Sequence, residues 1–243
     1  MPFRLSDFDA VTFDVYGTLI DWEPSIIDFL GQWAKRNSLS ATGEALLMSF
    51  DRARADIQAE RPAHRYPDVL RRCFDRLSRE FDVPVDEGAR ETFAVSPGTW
   101  PAYRDSHAGL KALQARVKLG ALSNIDNASL RRSGERLAIN FDIAVTAERV
   151  GAYKPDWPHF KTALADLEAL GIRRQRILHV GQSLRADIRP ANKLGLCSAW
   201  INRPGRMLGL SGEGAAEAMP DLTVVSLEAL VDCLAATRSS AVA

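Results

Sequence analysis

Cysteine is scarce: Cys73, Cys197 and Cys233 are the only three in 243 residues, widely spaced and with no CxxC pair. That excludes a disulfide framework and a cysteine zinc site, and the three thiols are expected in the core of a protein kept reduced. The four histidines (His64, His107, His159, His179) lack metal-ligand spacing, and His179, inside the apolar run RILHV, reads as a core histidine. An excess of either charge is also missing. Thirty-one basic residues balance 31 acidic ones, so no global field calls for nucleic acid or an anionic membrane. No run of 18 uncharged apolar residues occurs, and MPFRLSDFDAVTFD carries acid where a signal peptide runs apolar. A cytoplasmic chain is the expectation. The closing ATRSSAVA, small and polar, is expected to fray.

What is present is an ordinary globular composition, 46% hydrophobic and 26% charged. The length leaves open one large domain or a core carrying an inserted module. A strand, AVTFD (10–14), opens the chain, and the pattern then turns helical from Trp22 to about Asp82. Ile26, Ile27, Leu30 and Trp33 give one apolar face. Leu46, Leu47, Phe50 and Ile57 give a second; Val69, Leu70, Cys73, Phe74 and Leu77 give a third. PVDEGARETF adds a fourth helix. Short apolar runs then alternate with helical stretches: KLGAL (118–122), FDIAV (141–145), RILHV (176–180), CSAWI (197–201) and LTVV (222–225). Between them lie helices at 110–117, 129–137, 156–170, 188–194 and 226–234. Such alternation requires right-handed crossovers and a doubly wound parallel sheet. The reading is an α/β Rossmann-like core (1–20 and 103–243) interrupted by an all-helical cap (21–102), with the chemistry at the carboxyl ends of the strands.

Polar groups arrive at those ends in order. Asp14 closes the first strand, Ser123 and Asn124 the second, Lys154 follows the third, and Gln182, Ser183 and Asp187 follow the fourth. Gly17 and Thr18 add donors in the turn after Asp14. Singly, each has an ordinary explanation as a cap or turn residue. Together they supply a carboxylate, orienting donors, a countercharge and a second carboxylate. Lysine is expected to keep Asp14 ionised at neutral pH.

The ordered motifs FDVYGTL, LSN, YKPD and VGQSLRAD resemble those of the haloacid dehalogenase superfamily. The resemblance implies a doubly wound core with a helical cap and Asp14 as nucleophile. It makes Thr18, Ser123 and Asn124 orienting donors, Lys154 the balancing cation and Asp187 the fourth-motif carboxylate. Most members are magnesium-dependent phosphatases that carry an Asp two residues after the nucleophile and another in the fourth motif. Here those places hold Tyr16 and Gln182. Tyrosine, with a pKa of about 10, is no substitute for a carboxylic acid, and magnesium is held chiefly by carboxylates.

Halide displacement needs neither. DxYGT, WINRPG (200–205) and the aromatic Phe160 after YKPD are similar to the (S)-2-haloacid dehalogenase branch. That branch implies hydrolysis of small 2-haloalkanoic acids through an ester on Asp14, without metal or other cofactor. Lys154 and Asp187 would position water, while Tyr16, Thr18, Ser123, Asn124, Gln182 and Ser183 would hold the substrate. The branch also uses an arginine toward the halide and the substrate carboxylate. Arg52 and Arg54, in DRARADIQ, are the candidates, against the alternative of a solvated face. Trp22, Trp100 and Trp157 are candidates for an apolar pocket, with Trp100 better read as packing between core and cap. The alternatives are a magnesium-dependent small-metabolite phosphatase with an altered metal site, and a silent member binding a small carboxylate or a partner protein. A small-molecule substrate and neither nucleic acid nor membrane are the expected partners; a homodimer agrees with the base rate for soluble enzymes.

Overall fold

The computed structural model describes residues 3–210 and 212–235. The frayed segment expected at ATRSSAVA lies outside the described residues, as do the first two positions of the N-terminal stretch.

Every strand of the core is short, apolar and parallel to its neighbours. The strands are β1 (Ala10–Phe13), β2 (Lys118–Ser123), β3 (Ile143–Thr146), β4 (Ile177–Gly181), β5 (Cys197–Ile201) and β6 (Leu222–Val224). They form one sheet in the order β3-β2-β1-β4-β5-β6, a doubly wound α/β arrangement. Strands β1 and β4 are buried along their whole length because helices cover both faces of the sheet. Alternation decides which face each side chain serves. Val11, Phe13, Leu119, Ala121, Leu178 and Val180 pack with Leu110 and Leu113 of α5 (Ser106–Gln114), Leu130 and Leu137 of α6 (Asn127–Leu137) and Leu227, Leu230 and Leu234 of α10 (Leu227–Ala235). Ala10, Leu122, Ile143, Val145 and Ile177 pack with Phe160, Ala163 and Leu167 of α8 (Pro158–Ala169).

Strand order reverses beside β1. Phe13 pairs with Ala121 of β2 on one side and Val180 of β4 on the other, so the next residue, Asp14, emerges at the switch point. In open sheets of this kind ligands bind there.

Four helices lie between β1 and α5: α1 (Glu23–Arg36), α2 (Gly43–Ala59), α3 (Tyr66–Glu80) and α4 (Glu87–Val95). Their apolar stripes are those the periodicity predicts, and Ile26, Leu30, Trp33, Leu46, Leu47, Phe50, Val69, Leu70, Cys73, Phe74 and Phe93 are all buried. Phe74 sits 5.7 Å from Trp33 and 6.2 Å from Phe93, ring centre to ring centre. The insertion leaves and re-enters the core at one point. Ile20 bridges to Ala102, the Asp21 N–H donates to Pro101 O (2.8 Å) and the Tyr103 N–H to Leu19 O (3.0 Å).

Some expectations shift. α5 starts at Ser106 rather than 110, because its first turn, SHAG, is small and polar and carries no apolar stripe. β3 starts at Ile143 rather than 141, since the Asp142 carboxylate takes the Leu119 N–H (2.9 Å) and Lys118 Nζ (2.8 Å) and bends the entry. Of the cysteines only Cys73 is buried; Cys197 is half-buried, and Cys233 is exposed because it lies beside the Leu227/Leu230/Leu234 stripe of α10, not on it. Trp157 is exposed as well. Among the described residues no helix is long and apolar enough to cross a membrane.

Candidate active site

Three hydrogen bonds fix the charge at the switch point. Lys154 Nζ donates to Asp14 Oδ1 (3.0 Å), Asp187 Oδ1 (2.7 Å) and Leu122 O (2.7 Å), which uses all its protons. Thr18 Oγ1 donates to Asp14 Oδ2 (2.8 Å), and the Ser183 N–H donates to Asp187 Oδ2 (3.0 Å). Lys154, Asp14 and Asp187 are buried together. For Asp187, burial opposes ionisation, but the interactions it makes, the Lys154 charge foremost, outweigh it and hold the carboxyl down at about 2. For Asp14 the balance falls the other way. Burial and the charge of Asp187 raise it above the ordinary carboxylate range, against the pull of Lys154 and Thr18. The countercharge expected to keep Asp14 low is shared with Asp187.

Lys154 is held in turn by Asn124. The Lys154 N–H donates to Asn124 Oδ1 (2.6 Å) and Asn124 Nδ2 donates to Lys154 O (3.1 Å). The amide is therefore spent on the loop that delivers the lysine, rather than offered as a free donor. Thr18 is likewise occupied: it is fully buried, its hydroxyl is on Asp14, and its carbonyl accepts from Arg203 Nε (3.0 Å) and Nη2 (2.8 Å). Arg203, from the NRPG string, lies over the Tyr103 ring at 3.8 Å and pairs with Asp105 (3.0 Å). The turn after Asp14 is anchored from its far side.

Above these groups opens a cavity of about 340 Å³ whose walls include Asp14, Tyr16, Ser123, Asn124, Lys154, Gln182, Ser183 and Asp187. The insertion contributes Trp22, Met48, Asp51, Arg54, Gln58, Tyr66 and Trp100, and the loop after β5 contributes Met207, Leu208 and Gly209. Trp22 and Trp100 stack at 6.4 Å, and Tyr16 meets Trp100 edge-on at 5.6 Å. Trp100 thus both packs the junction and lines the cavity, while Trp157 lies outside it. Of the two candidate arginines, only Arg54 faces the cavity. Its guanidinium pairs with Asp51 and lies 5.6 Å from the Trp22 ring centre. Arg52 points to solvent, 63% exposed, and pairs with Glu80 and Ser49, because two residues along a helix is the wrong angle to share a face. A larger groove of about 570 Å³ between α6 and β3 contains none of the strand-end groups.

Tyr16 is not poised to give a proton. Its hydroxyl is bonded to Ser133 Oγ (2.6 Å), and burial pushes its pKa far above the ordinary tyrosine value. Among the described residues, the Ser123 hydroxyl and Gln182 Oε1 are buried and find no hydrogen-bond partner. Unpaired buried polar atoms are costly, so a ligand that meets them gains. Below the site, His179 Nδ1 is bonded to Thr12 Oγ1 (3.0 Å), and its Nε2 lies 3.9 Å from Asp187 Oδ1. Burial keeps His179 below the usual imidazole range, and lowers His159, bonded to Ser123 O, to about 3. Both are neutral structural groups.

The donor set does not fit magnesium. Asp187 is turned into Lys154 and Ser183, Asp14 already shares its charge with Lys154, and the third position is the neutral Gln182 amide. Among the described residues no three carboxylate, histidine or cysteine groups gather as metal ligands.

Sequence reasoning missed Asp51, Tyr66, Met207 and Leu208, which line the cavity. Asp51 carried a signal, a carboxylate three residues before Arg54 on one helix face; the loop residues carried none, because nothing local ties them to the site.

A family model of haloacid dehalogenase-like hydrolases matches residues 8–195. Among curated proteins, the phosphoglycolate phosphatase of Escherichia coli O157:H7 is 26% identical over a 254-residue alignment, covering 97% of this chain and 96% of its own. The pyrimidine 5'-nucleotidase YjjG of Escherichia coli is 33% identical over 129 residues, covering 51% of this chain and 53% of its own. Among solved structures, the L-2-haloacid dehalogenase PA0810 is 26% identical with a TM-score of 0.75, covering 95% of this chain and 100% of its own. The L-2-haloacid dehalogenase of Xanthobacter autotrophicus superposes with a TM-score of 0.74 at 21% identity, covering 93% of this chain and 97% of its own. The α/β sheet, the ordered strand-end groups and the match across most of the chain agree: the protein belongs to the haloacid dehalogenase-like hydrolases.

Proposed function

We propose that this hydrolase is a metal-independent 2-haloacid dehalogenase with Asp14 as nucleophile. One observation carries the reading: a carboxylate paired with a buried lysine faces a cavity whose neighbouring positions offer Tyr16 and Gln182, neither an acid nor an anion. An Asp14 oxygen attacks C2, the carbon–halogen bond breaks, and the bonding pair leaves with the halide. No proton is needed. The ester has lost the Asp14 charge, so Lys154 then faces a carbonyl, where its ammonium stabilises the oxyanion formed as water attacks. Collapse of that intermediate returns the Asp14 carboxylate and releases a 2-hydroxycarboxylate and a proton. Asp187 holds Lys154 in place throughout. The unpaired Ser123 hydroxyl, the Gln182 amide and Arg54 are the groups open to the substrate carboxylate and the departing halide. In this reading residues 21–102 act as a cap domain that closes the cavity.

The test is halide release from 2-chloropropionate and haloacetates with excess chelator, with mass spectrometry for an adduct on Asp14. Asp14→Asn is expected to lower release by more than about 10⁴-fold, as removal of a nucleophile does. Unchanged release in that variant would sink the proposal. The second reading, a phosphatase, draws on the full-length similarity to a phosphoglycolate phosphatase. Magnesium-stimulated hydrolysis of an aryl phosphate, increased in Gln182→Asp, would select it.

A further inference from the structure

The loop between β5 and β6 forms one wall of the cavity yet has little stiffness of its own. It carries Gly205, Gly209, Gly212 and Gly214, all at positive φ, and no regular element from Asn202 to Gly212 among the described residues. It is held from outside. Glu23, in the first turn of α1, is buried, and its carboxylate accepts from Arg206 Nη2 (2.6 Å), the Met207 N–H (2.9 Å) and the Leu208 N–H (3.3 Å). Both ends of the Glu23–Arg206 pair are almost fully enclosed. The guanidinium occupies the space over Gly17, where a Cβ would lie 2.1 Å from Nη1, so the clasp also abuts the turn after the nucleophile. At the far end of the clasped stretch, a Cβ on Gly209 would lie 2.1 Å from Gln182 Oε1, so the loop backs the Gln182 amide directly.

We propose that Glu23 is a positioning residue whose clasp on the 206–209 loop makes Met207 and Leu208 the wall that limits the substrate's carbon chain, restricting the enzyme to short 2-halocarboxylates. The proposal rests on the carboxylate substrate assigned above. Met207 and Leu208 are apolar residues of the core loop that line the cavity, as Met48 and Arg54 of α2 do. Released from Glu23, the loop yields and the wall retreats.

The experiment uses the full chain as wild type, Glu23→Gln and Leu208→Ala. It measures kcat and KM for halide release from 2-bromopropionate and 2-bromohexanoate, calorimetric binding of propionate and hexanoate, and amide hydrogen exchange. Wild type is expected to favour the short chain. Each variant is expected to reduce that preference by about tenfold, mainly through KM for the long chain, the scale on which apolar pockets discriminate methylenes. Glu23→Gln is also expected to speed exchange at the Met207 and Leu208 amides, while Leu208→Ala leaves the Met207 amide protected. A wild type without chain-length preference overturns the proposal, as does Glu23→Gln with unchanged preference or unchanged exchange. Should Glu23→Gln fail to fold, the preference of Leu208→Ala and the protection of the two amides in wild type decide. No halide from any substrate, with short carboxylates still bound more tightly, would defeat the dehalogenation reading and leave the wall standing. Halide release without chain-length preference would do the reverse.

Discussion

Asp14 and Asp187 share one lysine, and their titrations move in opposite directions because the interactions that offset burial prevail at Asp187 and not at Asp14. In the mechanism proposed above, the raised Asp14 places the acid limb of kcat/KM above the ordinary aspartate value of about 3.9, with rate lost as pH falls because the protonated acid would not displace halide. Asp187 has the opposite sign. Its carboxyl is depressed to about 2, so its contribution to stability is complete above about pH 4 and is lost as pH falls through that lower value. A pH–rate profile beside acid unfolding followed by circular dichroism separates the two; activity should fail while the fold is intact. At this scale the meeting of Asp14, Lys154 and Asp187 was legible, because each sits in a short string at the end of a successive strand. Asn124 and Thr18 were legible as neighbours but not as to what their hydrogen bonds serve. Glu23 was not legible: as an acid in the first turn of a helix, it looks like an ordinary partner for the helix dipole. Only its contact with Arg206, 183 residues away in sequence, gives it another role.

The elements follow from burial. Strands covered on both faces must be continuous apolar runs, and the six runs in the sequence are the six strands among the described residues, within two residues at each end. Helix starts were harder, because polar first turns carry no stripe. α6 illustrates the local chemistry: Asp126 closes its N-terminus, with Oδ1 accepting from the Ser129 N–H (2.9 Å). Asp126→Ala removes a buried cap and is expected to cost about 1 kcal/mol, a fall in Tm of roughly 2–4 °C for a chain of this size. Differential scanning calorimetry checks it. Because α6 directly follows the Ser123–Asn124 turn, a loss of halide release out of proportion to the lost stability would show that the helix also holds the site.

At the scale of the molecule, two surface ion pairs also join the insertion to the core: Arg61–Asp156 (2.5 Å) and Arg65–Glu148 (2.5 Å). Pairs like these contribute about 0.2–1 kcal/mol each and are screened by salt. Raising ionic strength to about 1 M, where the Debye length is about 3 Å, should therefore change KM in wild type. The Arg61→Gln/Arg65→Gln double variant should respond much less, and steady-state kinetics across a salt series would show equal responses if these pairs did not help to close the cleft. The two crossings between insertion and core are laced together where Ile20 meets Ala102. A segment whose ends already touch adds almost no closure entropy to the fold that hosts it. The sheet could therefore exchange its helical bundle for another, or for a tight turn, without re-routing a strand, and selectivity in such a scaffold can be recast by transplantation while the reactive carboxylate stays where it is.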